Sequence, residues 1–266
     1  MCCYAVRMSS NPPPSLALIR RMAAEFLGSA LLAALVIGSG IAAQRLSPGD
    51  VGLQLLENAL ATALGLPVLI LVFAPISGAH FNPVVSLVDV ALGLRSWRDT
   101  VAYIPTQIIG CIAGAVLANL MFGDAAATWS TTERLTGGHF LAEVVATAGL
   151  VMVIFSLARS GRSTIIPAAV GAYIGAAYFF TSSTSFANPA ITIGRMFTDT
   201  FAGIAPGSAP GFIAAQLLGG AVGFLLVHFF YPQTRDQLPD VAELVRPGGE
   251  NELYPNIIQR IYGVPD

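Results

Sequence analysis

The chain has 266 residues, and its composition excludes an ordinary water-soluble globule. It carries 13 basic and 15 acidic side chains, 11% of the residues, where soluble domains have about 25%. Apolar residues make up 55%, and the net charge is only −2, so there is too little polar surface to cover a globule in water. Bulk nucleic-acid binding needs a basic excess and disorder needs few apolar residues. A membrane protein is the class that remains.

Six apolar stretches are long enough to cross a bilayer. At a rise of 1.5 Å per residue, about 20 residues span the hydrocarbon. An open sheet edge cannot be satisfied in lipid, so all six are predicted to be helices. They lie at residues 22–42, 53–74, 101–122, 139–158, 165–183 and 211–231. The first has no obvious cleavage site and is interpreted as a retained helix.

The basic residues, all of them Arg, predict the orientation. Six crossings put both ends of the chain on one side of the membrane. That side would hold ten Arg, and the other side three, namely Arg45, Arg134 and Arg195. Because basic residues favour the inner side, both termini are predicted to be cytoplasmic and the protein to lie in the cell membrane.

Two proline-bearing segments interrupt the apolar sequence, and neither is a full span. They are PISGAHFNPVVSLVDVALGL at 75–94 and TSSTSFANPAITIGRMF at 181–197. Asn is a good helix N-cap, and Pro is favoured at the first helical position. Asn82 and Asn188 are therefore each predicted to open a half-length helix of two or three turns. Irregular backbone at membrane depth must be buried or line a wet cavity.

The chain also repeats itself. AEFLGSALLAAL at 24–35 parallels AEVVATAGLVMV at 142–153, and YIPTQIIGCIAGAV at 103–116 parallels GFIAAQLLGGAVGF at 211–224. Each repeat has about 110 residues and three crossings. Three is odd, so the second repeat is inverted in the membrane. Inverted repeats with one broken helix each place the functional site at the midplane, between the half-helix ends.

Together, AEFLGS, SGAHFNP, FANPA and the TQIIG/AQLLG pair resemble the major intrinsic proteins, the aquaporins and aquaglyceroporins. The resemblance covers about residues 20–232. It implies an all-α membrane protein of six tilted helices and two half-helices, with a pore in each subunit of a homotetramer in the lipid bilayer. The implied domains are a cytoplasmic segment at 1–20, a channel domain at 21–232 with repeats at 22–122 and 139–231, and a cytoplasmic tail at 233–266 for which no role is predicted.

The predicted pore centre is formed by the two Asn-Pro motifs. Half-helices meeting head to head would each present an N-terminus equivalent to roughly +0.5 charge, together with amide donors. A neutral hydroxylated solute regains hydrogen bonds there, whereas a cation meets a positive centre. The residues of this centre are Asn82, Pro83, Val84, Asn188, Pro189 and Ala190.

Three further residues match family positions that brace the loops. Glu25 and Glu143 resemble buried glutamates that accept hydrogen bonds from the loop backbones, the alternative being ordinary helix-end charges. An intramembrane ionisable group is rarely without a role. His80 resembles a structural histidine of the family and is interpreted as packed and hydrogen-bonded rather than as a proton shuttle or a ligand.

The selectivity filter departs from the family pattern. Most members have an Arg after the second Asn-Pro-Ala, and this chain has Ile191. The other family filter positions fall at Thr62, Ala176 and Ser185, where water-selective members typically have an aromatic at the first and a His at the second. The filter is thus predicted to be wide and uncharged. Water, glycerol-class polyols and metalloid hydroxides such as arsenite are the predicted solutes, and the filter is similar to that of bacterial members associated with arsenic resistance.

Arg195 lies four residues after Ile191, one helical turn nearer the predicted outer mouth. Two roles are open for it. It could supply a displaced positive ring in the outer vestibule, or it could snorkel from the half-helix end to the membrane interface. The sequence favours snorkelling.

Other classes of function remain open. One alternative function is a strict water channel, and another is a closed junctional or sensory role. A coupled secondary transporter of a small polar or anionic solute also uses inverted repeats, but Asp89 is the only acid inside either half-helix. An enzyme would need a nucleophile or a metal set, and His139 with Glu143 gives two ligands without a third. Neither catalytic residues, a metal, a cofactor nor a nucleic-acid partner is predicted.

Overall fold

A computed structural model describes residues 18–232, and every regular element in that range is a helix. Six helices are long and apolar enough to cross a membrane, as predicted, although the fifth ends three residues earlier than expected. The predicted tail and most of the N-terminal segment lie outside the described residues. The long helices are α1 (Leu18–Leu46), α2 (Val51–Ser77), α4 (Trp97–Met121), α5 (Gly137–Arg159), α6 (Ile166–Phe180) and α8 (Ala209–Phe230).

Two short helices begin directly after the Asn residues. They are α3 (Pro83–Ala91) and α7 (Pro189–Gly194). The Asn82 side chain accepts a hydrogen bond from Val84 N at 2.9 Å, and Asn188 accepts one from Ala190 N at 2.9 Å. These are the N-cap bonds that the Asn-Pro pattern predicts. The α-helical part of α7 is shorter than expected, because its last turn tightens into a 3₁₀ helix over Arg195–Phe197.

Small residues let the long helices of each half pack closely. In the first half α1 lies along α4, and in the second half α5 lies along α8. Matching glycines, Gly110 and Gly114 on α4 and Gly219 and Gly223 on α8, face backbone carbonyls of the partner helix. A Cβ at any of the four would come within 2.8 Å of such an oxygen. Glycine is therefore required at the same contact in both halves.

The outward faces of the long helices remain apolar. On α2, for example, Leu60, Leu64 and Leu71 are all more than half exposed. Lipid hydrocarbon can cover such a surface, because the backbone hydrogen bonds of a helix are internal and leave no polar group unsatisfied. The described part of the chain is a multi-pass membrane protein.

Candidate functional site

The loops that lead into the two half-helices follow the same unusual backbone path. The residues four, three and one positions before Asn82 have positive φ angles, and so do the residues at the same positions before Asn188. Only one of the six is a glycine, so the conformation is strained and needs external support. The angles are 94°, 52° and 50° at Gly78, Ala79 and Phe81, and 62°, 52° and 48° at Thr184, Ser185 and Ala187.

Glu25 on α1 supports the first loop. Its carboxylate is fully buried and accepts four hydrogen bonds. Two come from the loop backbone, from His80 N at 3.0 Å and Phe81 N at 2.8 Å. The other two come from Ser77 Oγ at 2.6 Å and Gln107 Nε2 at 2.8 Å.

Glu143 on α5 does the same for the second loop. It is also fully buried and accepts from Phe186 N at 2.8 Å and Ala187 N at 2.9 Å. Ser183 Oγ at 2.6 Å and Gln216 Nε2 at 2.7 Å complete the set. Both glutamates thus hold a loop rather than standing at a helix end. The two serines and two glutamines were not singled out from the sequence, although the TQIIG/AQLLG repeat contains the glutamine pair.

The two half-helices are joined at their N-termini by a reciprocal pair of hydrogen bonds. Asn82 Nδ2 donates to the carbonyl of Ala187 at 2.8 Å, and Asn188 Nδ2 donates to the carbonyl of Phe81 at 2.8 Å. Each amide nitrogen carries two hydrogens, and the facing loop takes one. A second donor therefore remains on each Asn for a molecule passing between the half-helices.

Three of the four predicted filter residues are enclosed, and one is not. Thr62, Ser185 and Ile191 are at most 4% exposed, whereas Ala176 on α6 is exposed. The Ser185 hydroxyl is buried and has no hydrogen-bond partner among residues 18–232. The enclosed set is thus one apolar side chain and two hydroxyl-bearing ones.

Tyr178 on α6 is a further enclosed residue beside this set. Its hydroxyl lies 3.2 Å from Thr62 Oγ1, which itself donates to the carbonyl of Asn58 at 2.9 Å. Its ring belongs to the same buried apolar cluster as Ile191. No sequence signal could have found it, since an aromatic residue in an apolar helix is ordinary.

His80 lies in a network of polar groups at the C-terminal side of the first half-helix. Its Nδ1 is 2.9 Å from Ser86 Oγ, and its Nε2 is 3.4 Å from Asp89 Oδ2. Arg95 Nε donates to the same Asp89 oxygen at 2.9 Å. The ring packs edge-on against Tyr103, with centroids 5.8 Å apart. These contacts agree with a packed, hydrogen-bonded histidine, and they neutralise the only acid in the half-helix.

Phe186 occupies the corresponding place in the second half. It packs edge-on against Phe212, with centroids 5.1 Å apart. The guanidinium carbon of Arg195 lies 3.5 Å from the centre of the Phe186 ring, and that of Arg134 lies 5.5 Å from it. Arg195 Nε also donates to the carbonyl of Ala202.

Arg195 does not snorkel. Only 2% of the residue is exposed, because the aromatic ring and the Ala202 carbonyl hold its side chain inward. The snorkelling interpretation is therefore wrong, and two cations flank one aromatic ring.

The residues considered for an enzyme are engaged elsewhere. His139 Nδ1 contacts the carbonyl of Arg134, and Glu143 is committed to the second loop. Within residues 18–232 no group of three His, Cys, Asp or Glu side chains could hold a metal ion.

Six membrane-length helices and two half-helices that meet end to end define a membrane channel and not an enzyme. The chain belongs to the major intrinsic protein family, whose model matches residues 14–187.

Comparisons with individual proteins agree with this assignment. The chain is 46% identical over 229 residues to the aquaglyceroporin AqpS of Rhizobium meliloti (strain 1021), covering 85% of this chain and 97% of that protein. It is 28% identical over 256 residues to a glycerol uptake facilitator protein of Pseudomonas aeruginosa, covering 84% and 86%. The fold matches the X-ray structure of the aquaglyceroporin from Plasmodium falciparum with a TM-score of 0.60 and 22% identity, covering 80% of this chain and 96% of that one.

Proposed function

We propose that the protein is a passive channel through which water, glycerol-class polyols and undissociated metalloid hydroxides such as arsenous acid cross the cell membrane. In this proposal the chain assembles as a homotetramer with both termini in the cytoplasm, and each subunit conducts on its own.

The central part of the proposed pathway lies between the two half-helices. The N-termini of α3 and α7 contribute partial positive charge, and the second amide hydrogens of Asn82 and Asn188 point donors toward a passing solute. A hydroxylated molecule that gives up bulk water accepts hydrogen bonds there, whereas a cation is repelled. The first motif has Val84 where the second has Ala190, and this difference leaves the donors unchanged.

The proposed filter carries the preference for solutes larger than water. Ile191 is the single observation on which this preference depends, because its side chain bears no charge and no donors where most family members have both. Thr62 and Ser185 contribute hydroxyls, whereas the fourth predicted position, Ala176, is exposed and lies outside the enclosed set. A filter with small and aliphatic residues at these positions excludes less by size than one with Arg, His and an aromatic. Arsenous acid is a small neutral trihydroxide, similar in shape to glycerol.

The names of two relatives support the same solute class. One is an aquaglyceroporin and the other a glycerol uptake facilitator. Asp89, the only acid in either half-helix, is paired with Arg95, which favours a channel over a transporter that needs a free carboxylate.

Flux measurements on one reconstituted preparation test the proposal. Water, glycerol, urea and arsenite fluxes into proteoliposomes are compared by light scattering, with and without a proton gradient. The expected result is glycerol and arsenite flux that does not depend on the gradient. Water flux alone would indicate a strict water channel, gradient-driven flux a transporter, and no flux from intact oligomers a closed role; each would overturn the proposal.

Ile191→Arg tests the filter itself. The added side chain and charge should lower glycerol flux at least about tenfold while water still passes, a change of about 1.4 kcal/mol in the barrier. Ile191→Val, which keeps the position small and uncharged, should leave glycerol flux close to that of the natural chain. Unchanged selectivity in the Arg variant would mean that residue 191 does not border the pathway.

A further inference from the structure

The fold brings the same two positions together in both halves of the molecule. These are the residue two before each Asn and the residue seven after it. In the first half they are His80 and Asp89, with Nε2 and Oδ2 3.4 Å apart. In the second half they are Phe186 and Arg195, with the guanidinium carbon 3.5 Å from the ring centre. The inward direction of Arg195 is thus a property of the repeat and not an accident of one side chain.

Arg195 is buried but not fully used by the protein. Its Nε is bound to the carbonyl of Ala202. The terminal nitrogens Nη1 and Nη2 donate to no residue between 18 and 232. Although both nitrogens lack a partner in that range, neither is fully enclosed by the protein. Each therefore reaches space that a water molecule can occupy. Arg195, although only 2% exposed as a residue, therefore keeps the outer donors of its guanidinium available to a mobile molecule.

The position of this guanidinium is close to the proposed filter. It lies on the ring of Phe186, which directly follows Ser185 in the chain. Its own backbone is one helical turn beyond Ile191. The guanidinium of Arg195 thus places near the filter loop the positive charge that Ile191 does not provide.

We propose that Arg195, held on Phe186, is the specificity-determining residue that supplies the outer end of the filter with a fixed positive charge and hydrogen-bond donors. The inference deepens the proposed channel function and rests on it. The filter keeps its width at Ile191, while cations are repelled and acceptor-rich neutral solutes, the polyols and undissociated oxyacids, are bound by the Nη donors. Arg134, on the same ring, adds a second positive charge.

Arg195→Gln removes the charge and keeps a polar side chain of similar length. The variant is reconstituted in proteoliposomes, and leaks of protons and of sodium are measured beside glycerol flux. A unit charge about 4 Å from an ion changes its rate by up to about a thousandfold in a medium of intermediate dielectric, and by less in a wet pore. We expect a cation leak at least about tenfold above that of the natural chain, with glycerol still passing.

Arg45→Gln is the matched control. It removes the same charge from an Arg that is half exposed and paired with Asp124, away from Phe186, and its cation leak should equal that of the natural chain. The double variant Ile191→Arg/Arg195→Gln moves the charge to the family position. It should restore cation exclusion and lower glycerol flux.

Two results separate this inference from the proposed function. If the natural chain conducts glycerol and folded Arg195→Gln leaks no more cations than it does, Arg195 only packs against Phe186 and the inference is wrong. If the natural chain conducts no glycerol, the proposed function fails first. Should Arg195→Gln not fold, Phe186→Leu removes the ring that holds the guanidinium, and an unchanged cation leak there would equally overturn the inference.

Discussion

The two halves of the molecule share a skeleton and differ at their outer positions. In each half a buried Glu accepts hydrogen bonds from a Ser, a Gln and two consecutive loop amides, at distances that agree within 0.2 Å. The positions that hold the loop backbone are thus equivalent. The positions flanking each half-helix are not, since His80 and Asp89 in the first half correspond to Phe186 and Arg195 in the second.

This difference makes the electrostatics of the two ends of the proposed pathway unequal. In the first half Asp89 is paired with Arg95 and lies beside His80, so the charges there are balanced. In the second half Arg134 and Arg195 make no ion pair with an acid among residues 18–232. The repeat therefore preserves the backbone that presents donors at the centre, while the flanking positions differ in charge. Selectivity between neutral and charged solutes is expected to depend on the second half.

The two loops also differ in the number of hydrogen bonds that hold them. The carbonyl of Ser77 in the first loop accepts from Tyr103 Oη at 2.9 Å and from Arg95 Nη2 at 3.1 Å. The carbonyl of Ser183, its counterpart, accepts no hydrogen bond within the described range. The first loop has an anchor besides its glutamate, and the second depends more heavily on Glu143.

Loss of Glu143 should have the largest effect on stability. Glu143→Ala leaves four buried donors without an acceptor, each at a cost of about 1–3 kcal/mol. The free energy of unfolding should therefore fall by about 4 kcal/mol or more. Glu25→Ala strands the same number, but Tyr103 and Arg95 still hold that loop, and a smaller loss is expected. Melting temperatures and the yield of monodisperse protein in detergent measure both.

Glu57→Gln is the control for this pair. Glu57 accepts a single hydrogen bond, from Ser47 Oγ at 2.8 Å, and its replacement should change the melting temperature little. A Glu25→Ala variant that is as unstable as Glu143→Ala, or more so, would contradict the unequal fastening of the loops.

Helix contacts provide a second and smaller contrast. A Cβ at Gly114 would overlap the carbonyl of Ala30, whereas one at Gly223 would lie 2.8 Å from the carbonyl of Ala148. Overpacking costs about 1–3 kcal/mol, and Gly114→Ala should lie near the upper end of that range and Gly223→Ala near the lower. Gly137→Ala, where a Cβ meets nothing within 4 Å, should be neutral. Equal melting temperatures for the Gly114 and Gly223 variants would show that the α1/α4 contact is no tighter than α5/α8.

These contrasts also show what could be predicted from the sequence. The six long helices follow from apolar length, and the half-helix starts follow from Asn-Pro, because both are local properties. The repeat and the family resemblance pointed to Glu25 and Glu143, since a buried carboxylate in an apolar helix needs partners.

The inward direction of Arg195 could not be predicted in the same way. It depends on the ring of Phe186, whose place is set by a loop with positive φ angles and by the packing of Phe212. Local rules for an Arg at a helix end favour the interface instead. The contact between Tyr178 and Thr62 likewise joins residues 116 positions apart, a separation that no motif spans.

The smallest expected contrast concerns the ion pairs that fasten α1 near both of its ends. Arg21 donates to both oxygens of Asp99 on α4, at 2.5 and 3.1 Å, and these side chains are less than a fifth exposed. Arg45 pairs with Asp124 after α4 at 2.7 Å, but both groups are well exposed. Every ion pair found between residues 18 and 232 lies in the first half. The α5/α8 contact has no such fastening in that range.

Arg45→Gln should lower the free energy of unfolding by no more than about 0.5 kcal/mol, since solvent and salt screen an exposed pair. Arg21→Gln leaves Asp99 partly buried without its bidentate partner, and a loss of about 1–2 kcal/mol is expected. Melting temperatures at low and high salt distinguish the two, because only the less exposed pair should retain its contribution at high salt. If the order were reversed, α1 would be held more firmly at its Arg45 end, and the ion pairs would not follow the burial of their charges.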